Sequence, residues 1–127
     1  MNKDARKAAD EIREFALGFP GAYEDFPWGE RVIKVGKKVF VFMGKVDDAG
    51  AGFLSYGVKL PVSGPDTLEL PHVEPTGYGL AKSGWVTARF GMGEHVPKDL
   101  VEKWIEESYR AVAPKKLIAE RDRPASS

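Results

Sequence analysis

The sequence predicts an α+β fold, a two-layer sandwich in which an antiparallel sheet of about five strands carries N- and C-terminal helices. Two observations lead there. Strand-like segments follow one another through tight turns, which joins neighbours antiparallel. Two amphipathic helices, one near each end, each need an apolar face to cover. The centre of the pattern is Arg31–Met43, RVIKVGKKVFVFM, two short strands closed by a Gly36-Lys37-Lys38 turn with five apolar residues in a row at Val39–Met43.

Taken in order, Met1–Gly18 reads as a helix: Ala5, Ala8, Ala9, Ile12, Phe15 and Ala16 fall on one face, Lys3, Asp4, Lys7, Asp10, Glu11 and Glu14 on the other. Gly18 and Pro20 stop it. Phe19–Gly29 holds two prolines, two glycines and four aromatics, and reads as a loop folded over a core edge, with Tyr23, Phe26 or Trp28 as the alternative stacking platform for a ligand. After the hairpin, Gly44–Gly52 is a glycine-rich turn. Phe53–Leu60 alternates as a half-buried strand, with Leu54, Tyr56, Val58 and Leu60 on one side. Ser63–Leu70 predicts a short helix with Ser63 as N-cap. Leu70–Gly79, with two prolines and two glycines, reads as irregular.

Gly84–Phe90 alternates again, Val86, Ala88 and Phe90 against Trp85, Thr87 and Arg89, and Gly91-Met92-Gly93 breaks it. Pro97–Val112 predicts the last helix, with Leu100, Val101, Trp104, Ile105, Ser108, Tyr109 and Val112 as its apolar stripe. Lys115–Ser127 is polar and is expected to fray.

A chain of 127 residues without internal repeats or linkers makes one domain. It has no cysteine, which excludes disulfides, thiolate catalysis and cysteine-ligated metals. No apolar run is long enough to span a bilayer, and the N-terminus is amphipathic rather than signal-like, so the expected compartment is the cytoplasm. Net charge is zero, against a histone-like binder, but the charges are unevenly placed. Residues 1–30 hold four Lys/Arg against seven Asp/Glu; from Arg31 to Lys45 there are five positive charges and no acid.

No catalytic motif stands out. His72 and His95 lie in separate loops without metal-ligand spacing, and neither a metal nor a cofactor is expected. The acidic pairs Glu24-Asp25, Asp47-Asp48 and Glu106-Glu107 sit side by side rather than across a cleft; Glu24 alone is embedded in apolar sequence. Gly77–Gly84 lacks the Gly-Lys-Ser/Thr ending of a phosphate loop. The basic hairpin remains, with Lys34, Lys37 and Lys38, and a second basic-aromatic cluster at Lys82, Trp85 and Arg89. The same lysines also suit an edge hairpin that must avoid pairing with another chain.

Along nearly its whole length to Leu117, the chain resembles the MmcQ/YjbR family of small bacterial proteins. The resemblance rests on Phe19-Pro20-Gly21 followed by Glu24 and the Phe26–Gly29 turn, Lys37/Lys38-Val39-Phe40, Lys59-Leu60-Pro61, Lys82-x-x-Trp85, and Leu100, Ile105, Ser108, Tyr109 and Lys116. It implies a CyaY-like or secretion-chaperone-like fold over 1–117 with a polar tail at 118–127. It also implies a double-wing protein that binds DNA weakly and without sequence preference. Lys34, Lys37 and Lys38 would form one wing, and Lys82, Trp85 and Arg89 part of the other. Where relatives carry Lys-x-His-Trp this chain has Ser83-Gly84, which takes area and charge from the second wing.

The expectation is therefore a monomeric, non-enzymatic cytoplasmic protein with DNA as its partner. The alternative is a small-ligand or protein-binding module whose pocket is lined by Tyr23, Glu24, Trp28 and Tyr78. A third reading is an enzyme built around Glu24, Lys82 or His72.

Overall fold

The computed structural model describes residues 3–26, 31–43, 53–77, 80–91 and 97–123. Helix α1 (Lys3–Leu17) leads into strands β1 (Ala22–Asp25), β2 (Arg31–Val35), β3 (Lys38–Met43) and β4 (Phe53–Lys59). A one-turn helix α2 (Gly64–Thr67), strand β5 (Val73–Pro75) and a 3-10 turn at Leu80–Ser83 precede β6 (Trp85–Gly91); helices α3 (Lys98–Val112) and α4 (Lys115–Asp122) follow. The strands form one sheet in the order β1-β2-β3-β4-β6-β5. Every neighbouring pair is antiparallel.

The α+β sandwich is as expected, with six strands rather than about five. Four of the six are placed by the sequence, and the two that are not are the edges. β1 lies inside the segment read as a loop, and β5 inside the segment read as irregular. A three-residue strand gives no measurable alternation, and Pro75 is tolerated because an edge strand can spare a backbone donor. The turn expected at Gly44–Gly52, the breaker at Met92-Gly93, and Trp28, Tyr78 and His95 lie outside the described residues.

The core fills the space between the sheet and two helices. Ile12 and Ala16 of α1, and Val101, Ile105 and Tyr109 of α3, are fully buried against Ile33, Val41, Val58 and Ala88. Phe19 joins them beyond the end of α1. Its ring meets Tyr109 edge-on at 4.6 Å and stacks on Phe40 at 5.9 Å. Such pairs add about 0.5–1.5 kcal/mol each beyond the area they bury. The Tyr109 hydroxyl leaves this cluster to donate to the Pro20 carbonyl at 2.8 Å.

The apolar run of β3 is explained by a bulge. Ile33 pairs with Val41, but Lys34 pairs with Val39, so Phe40 is the extra residue. A bulge lets two successive side chains share one face, and both Phe40 and Val41 are buried in the core. Phe42 points the other way. It lies over Gly57 of β4, where a Cβ would come within 3.2 Å of it, and meets Trp85 edge-on at 5.2 Å.

At the bulge, Ser108 of α3 inserts its hydroxyl between two strands. It donates to the Phe40 carbonyl at 2.6 Å and accepts from the Lys59 N–H at 2.9 Å. Ser108 belongs to the apolar stripe by spacing, yet its polar atom is what the site uses. Glu107 does similar work next door, accepting from the Val62 and Ser63 N–H groups and from the Ser63 hydroxyl. Ser63 stands at the N-cap of α2 as expected, but without a side-chain cap bond, because its hydroxyl is given to Glu107.

The tail expected to fray is helical through Asp122. Leu117 and Ile118 pack on the core, and the Arg121 guanidinium lies 4.5 Å from the centre of the Phe19 ring. Arg121 also donates to Glu106, and Arg110 to both Glu106 and Asp122. Gly21 admits this helix. Its φ of +74° suits only glycine without strain, and an added Cβ would sit 2.9 Å from Leu117.

Candidate functional site

The register brings several lysines to one end of the sheet. Lys37 is in the β2–β3 turn and Lys38 begins β3. Lys59 ends β4, one residue past the Val58 that pairs with Val41, and it pairs in turn with Trp85. Lys82 lies in the turn that leads into Trp85. Leu117 and Val35 both approach Gly21, which brings the first turn of α4, where Lys115 and Lys116 lie, toward the end of β2 that leads into the hairpin turn. Lys37, Lys38, Lys82, Lys115 and Lys116 are exposed and Lys59 half-buried; none has an ion-pair partner among the described residues. Tyr23 braces this end, its hydroxyl donating to the Gly36 carbonyl at 2.6 Å.

Of the six residues expected to contact DNA, three are engaged elsewhere. Lys34 is bound to Asp25 at 2.8 Å with its side chain only 22% exposed. That bond, with the Phe26 N–H, holds the Asp25 carboxyl below its ordinary pKa. Arg89 pairs with Glu74 at 3.2 Å. Trp85 is 8% exposed and meets Phe42 edge-on, so it is not presented on the outer surface as a platform for a base. Lys37, Lys38 and Lys82 stay outward. Lys59, Lys115 and Lys116 join them, which sequence reasoning missed because only the register and the docking of α4 bring them near the hairpin.

Glu24 has a structural role. Arg13 of α1 grips it with two bonds, 2.6 and 2.9 Å, and Arg31 adds a contact at 3.2 Å. The Arg13 bonds, more than the charge of Arg31, hold its pKa below the usual carboxylate range. Because the folded pKa lies below the unfolded one, this stabilisation is complete above about pH 4.3 and is lost as pH falls through the folded value. Glu24→Gln is expected to cost about 1–2 kcal/mol at neutral pH. Urea titrations of the two proteins should converge as pH drops below about 4.

Of the four residues expected to line a pocket, Tyr23 braces the hairpin and Glu24 bridges α1 to β1 and β2, while Trp28 and Tyr78 lie outside the described residues. Described residues line two cavities elsewhere. One, of about 310 Å³, lies over Gly57 between Phe42, Leu80, Thr76 and Thr87, with Arg31 and Arg89 among its lining. The Thr76 and Thr87 hydroxyls are hydrogen-bonded to each other at 2.9 Å. The other, of about 400 Å³, lies between α2, β5 and the start of β6, with Lys82 and Trp85 in its lining. Among the described residues no group of three His, Asp or Glu side chains is placed to hold a metal ion. No described helix is long and apolar enough to cross a membrane.

The fold recurs in a solved structure. The Deinococcus radiodurans protein DR2400, whose domain is classed as DUF419, superposes with a TM-score of 0.67 at 25% identity, over 91% of this chain and 88% of that one. No curated protein matches the sequence. The profile of the YjbR family matches residues 17–111. That span reaches from the end of α1 almost to the end of α3 and takes in every strand of the sheet, and the chain belongs to the YjbR family.

Proposed function

We propose that this protein is a non-enzymatic binding domain whose lysine-bearing end of the sheet contacts the phosphate backbone of DNA weakly and without sequence preference. The observation that carries this reading is the convergence of Lys37, Lys38, Lys59, Lys82, Lys115 and Lys116 at one end, with no ion-pair partner among the described residues. Lysines are point charges suited to phosphate oxygens, and they carry no base readout by themselves. Trp85, the aromatic of the second expected wing, is buried, so this reading rests on charge.

Fluorescence anisotropy with a random-sequence duplex tests it. If four phosphates are contacted, affinity falls about a hundredfold between ~50 and ~200 mM salt. Lys37→Glu combined with Lys38→Glu and Lys116→Glu should abolish binding and leave the thermal midpoint unchanged within a few degrees. No binding at ~50 mM salt, or binding indifferent to salt, would refute the proposal.

A further inference from the structure

The larger cavity is a built site. Three prolines, Pro61, Pro65 and Pro75, stand in its wall with Leu68 and Trp85. Backbone bonds from Leu60 to Gly84, from Gly64 to Leu60 and from Thr76 to Trp85, 2.8 to 3.2 Å long, clamp the surrounding segments together. Glu107 fixes the turn at Val62 and Ser63 from below. Prolines have fixed φ and offer no N–H, so the wall is both stiff and apolar. A stiff pocket has little ordering cost to meet when it binds.

Its polar chemistry is sparse and of one sign. Of the residues that line it, Lys82 alone carries a charge, and Ser83 supplies the one hydroxyl. Both are exposed. Apolar surface continues outward, with Leu68 at 38% and Val62 at 82% exposure. One ammonium and one hydroxyl at the margin of an apolar pocket match a single carboxylate on an apolar body. A phosphate dianion would find too few donors, and a cation would meet Lys82. The volume lies at the small end of ligand pockets, the size of a fused ring pair or a short acyl chain.

We infer that this cavity binds a small amphipathic carboxylate, its apolar body against the prolines and Trp85 and its carboxylate on Lys82. This site shares Lys82 with the proposed DNA contact but includes none of the hairpin lysines. Lys82, which faces phosphate in the DNA reading, here selects the acid.

Protein-observed NMR with naphthoate, and with naphthalenemethanol as its uncharged twin, tests the assignment. Naphthoate should shift the amides of Gly64, Leu68, Gly84 and Trp85 while leaving Gly36 and Lys37 in place. It should bind about tenfold more tightly than the alcohol. Lys82→Met should bring the two probes level, Ser83→Phe should exclude both by filling the mouth, and the Lys37→Glu, Lys38→Glu protein should bind naphthoate as the native chain does. No shift of those amides at ~5 mM probe, or equal affinity of the native protein for acid and alcohol, would overturn the inference.

Discussion

Ser108→Ala is expected to cost about 3 kcal/mol of folding free energy, a large loss for the removal of one oxygen. In an undistorted ladder Phe40 of β3 and Lys59 of β4 would stand opposite, next to the Val41–Val58 pair. The bulge carries Phe40 out of that register, and the Ser108 hydroxyl fills the gap by bonding to both strands. Alanine fits the same space but deprives the buried Phe40 carbonyl and the part-buried Lys59 N–H of this partner, and a buried polar group left unpaired costs about 1–3 kcal/mol. Threonine keeps the hydroxyl and adds a methyl in a fully buried position, so it should recover only part of the loss. Urea unfolding gives the energy. Hydrogen exchange gives the cause, because the Lys59 amide should lose its protection in the alanine protein while the Val58 amide keeps it. An unchanged Lys59 amide would mean that the hydroxyl is not the bridge.

The parts of the fold that follow from periodicity were legible in the chain. Alternation marks β4 and β6, and three-to-four spacing marks α1 and α3, because each buries one face over several repeats. What the chain conceals is whatever depends on a partner distant in sequence. β1 and β5 are short edges defined by the strands beside them, and α4 is helical because Leu117 meets Gly21 and Arg121 covers Phe19. The candidate site divides in the same way. Positive charge in the hairpin is visible as composition, yet whether a given lysine is available depends on contacts that composition does not encode. Lys34 is taken by Asp25 across the β1–β2 pair, whereas Lys37, three residues on, has no such neighbour among the described residues. Lys115 and Lys116 read as tail charges until α4 is seen to dock beside the hairpin.

Phe40→Ala is the most damaging single change expected, about 4 kcal/mol, and its neighbour two residues on should be much more forgiving. The five apolar residues Val39–Met43 cannot be told apart by pattern, because a run has no period. The bulge separates them. Phe40 is fully buried, stacked on Phe19 and edge-on to Tyr109 at 5.3 Å, so truncation opens a cavity between the sheet, α3 and the end of α1. Neither helix can close it, since Tyr109 is held by Pro20 and α3 by Ser108. Phe42 is half-buried on the opposite face, over Gly57 and against Trp85, and its loss can be filled by water or by rearrangement of Trp85. About 1–2 kcal/mol is expected for Phe42→Ala. Denaturant titrations of the two variants decide the matter: a gap of about 2 kcal/mol or more is required by the bulge, while equal costs would mean that β3 runs straight through Phe40 and presents the two aromatics alike.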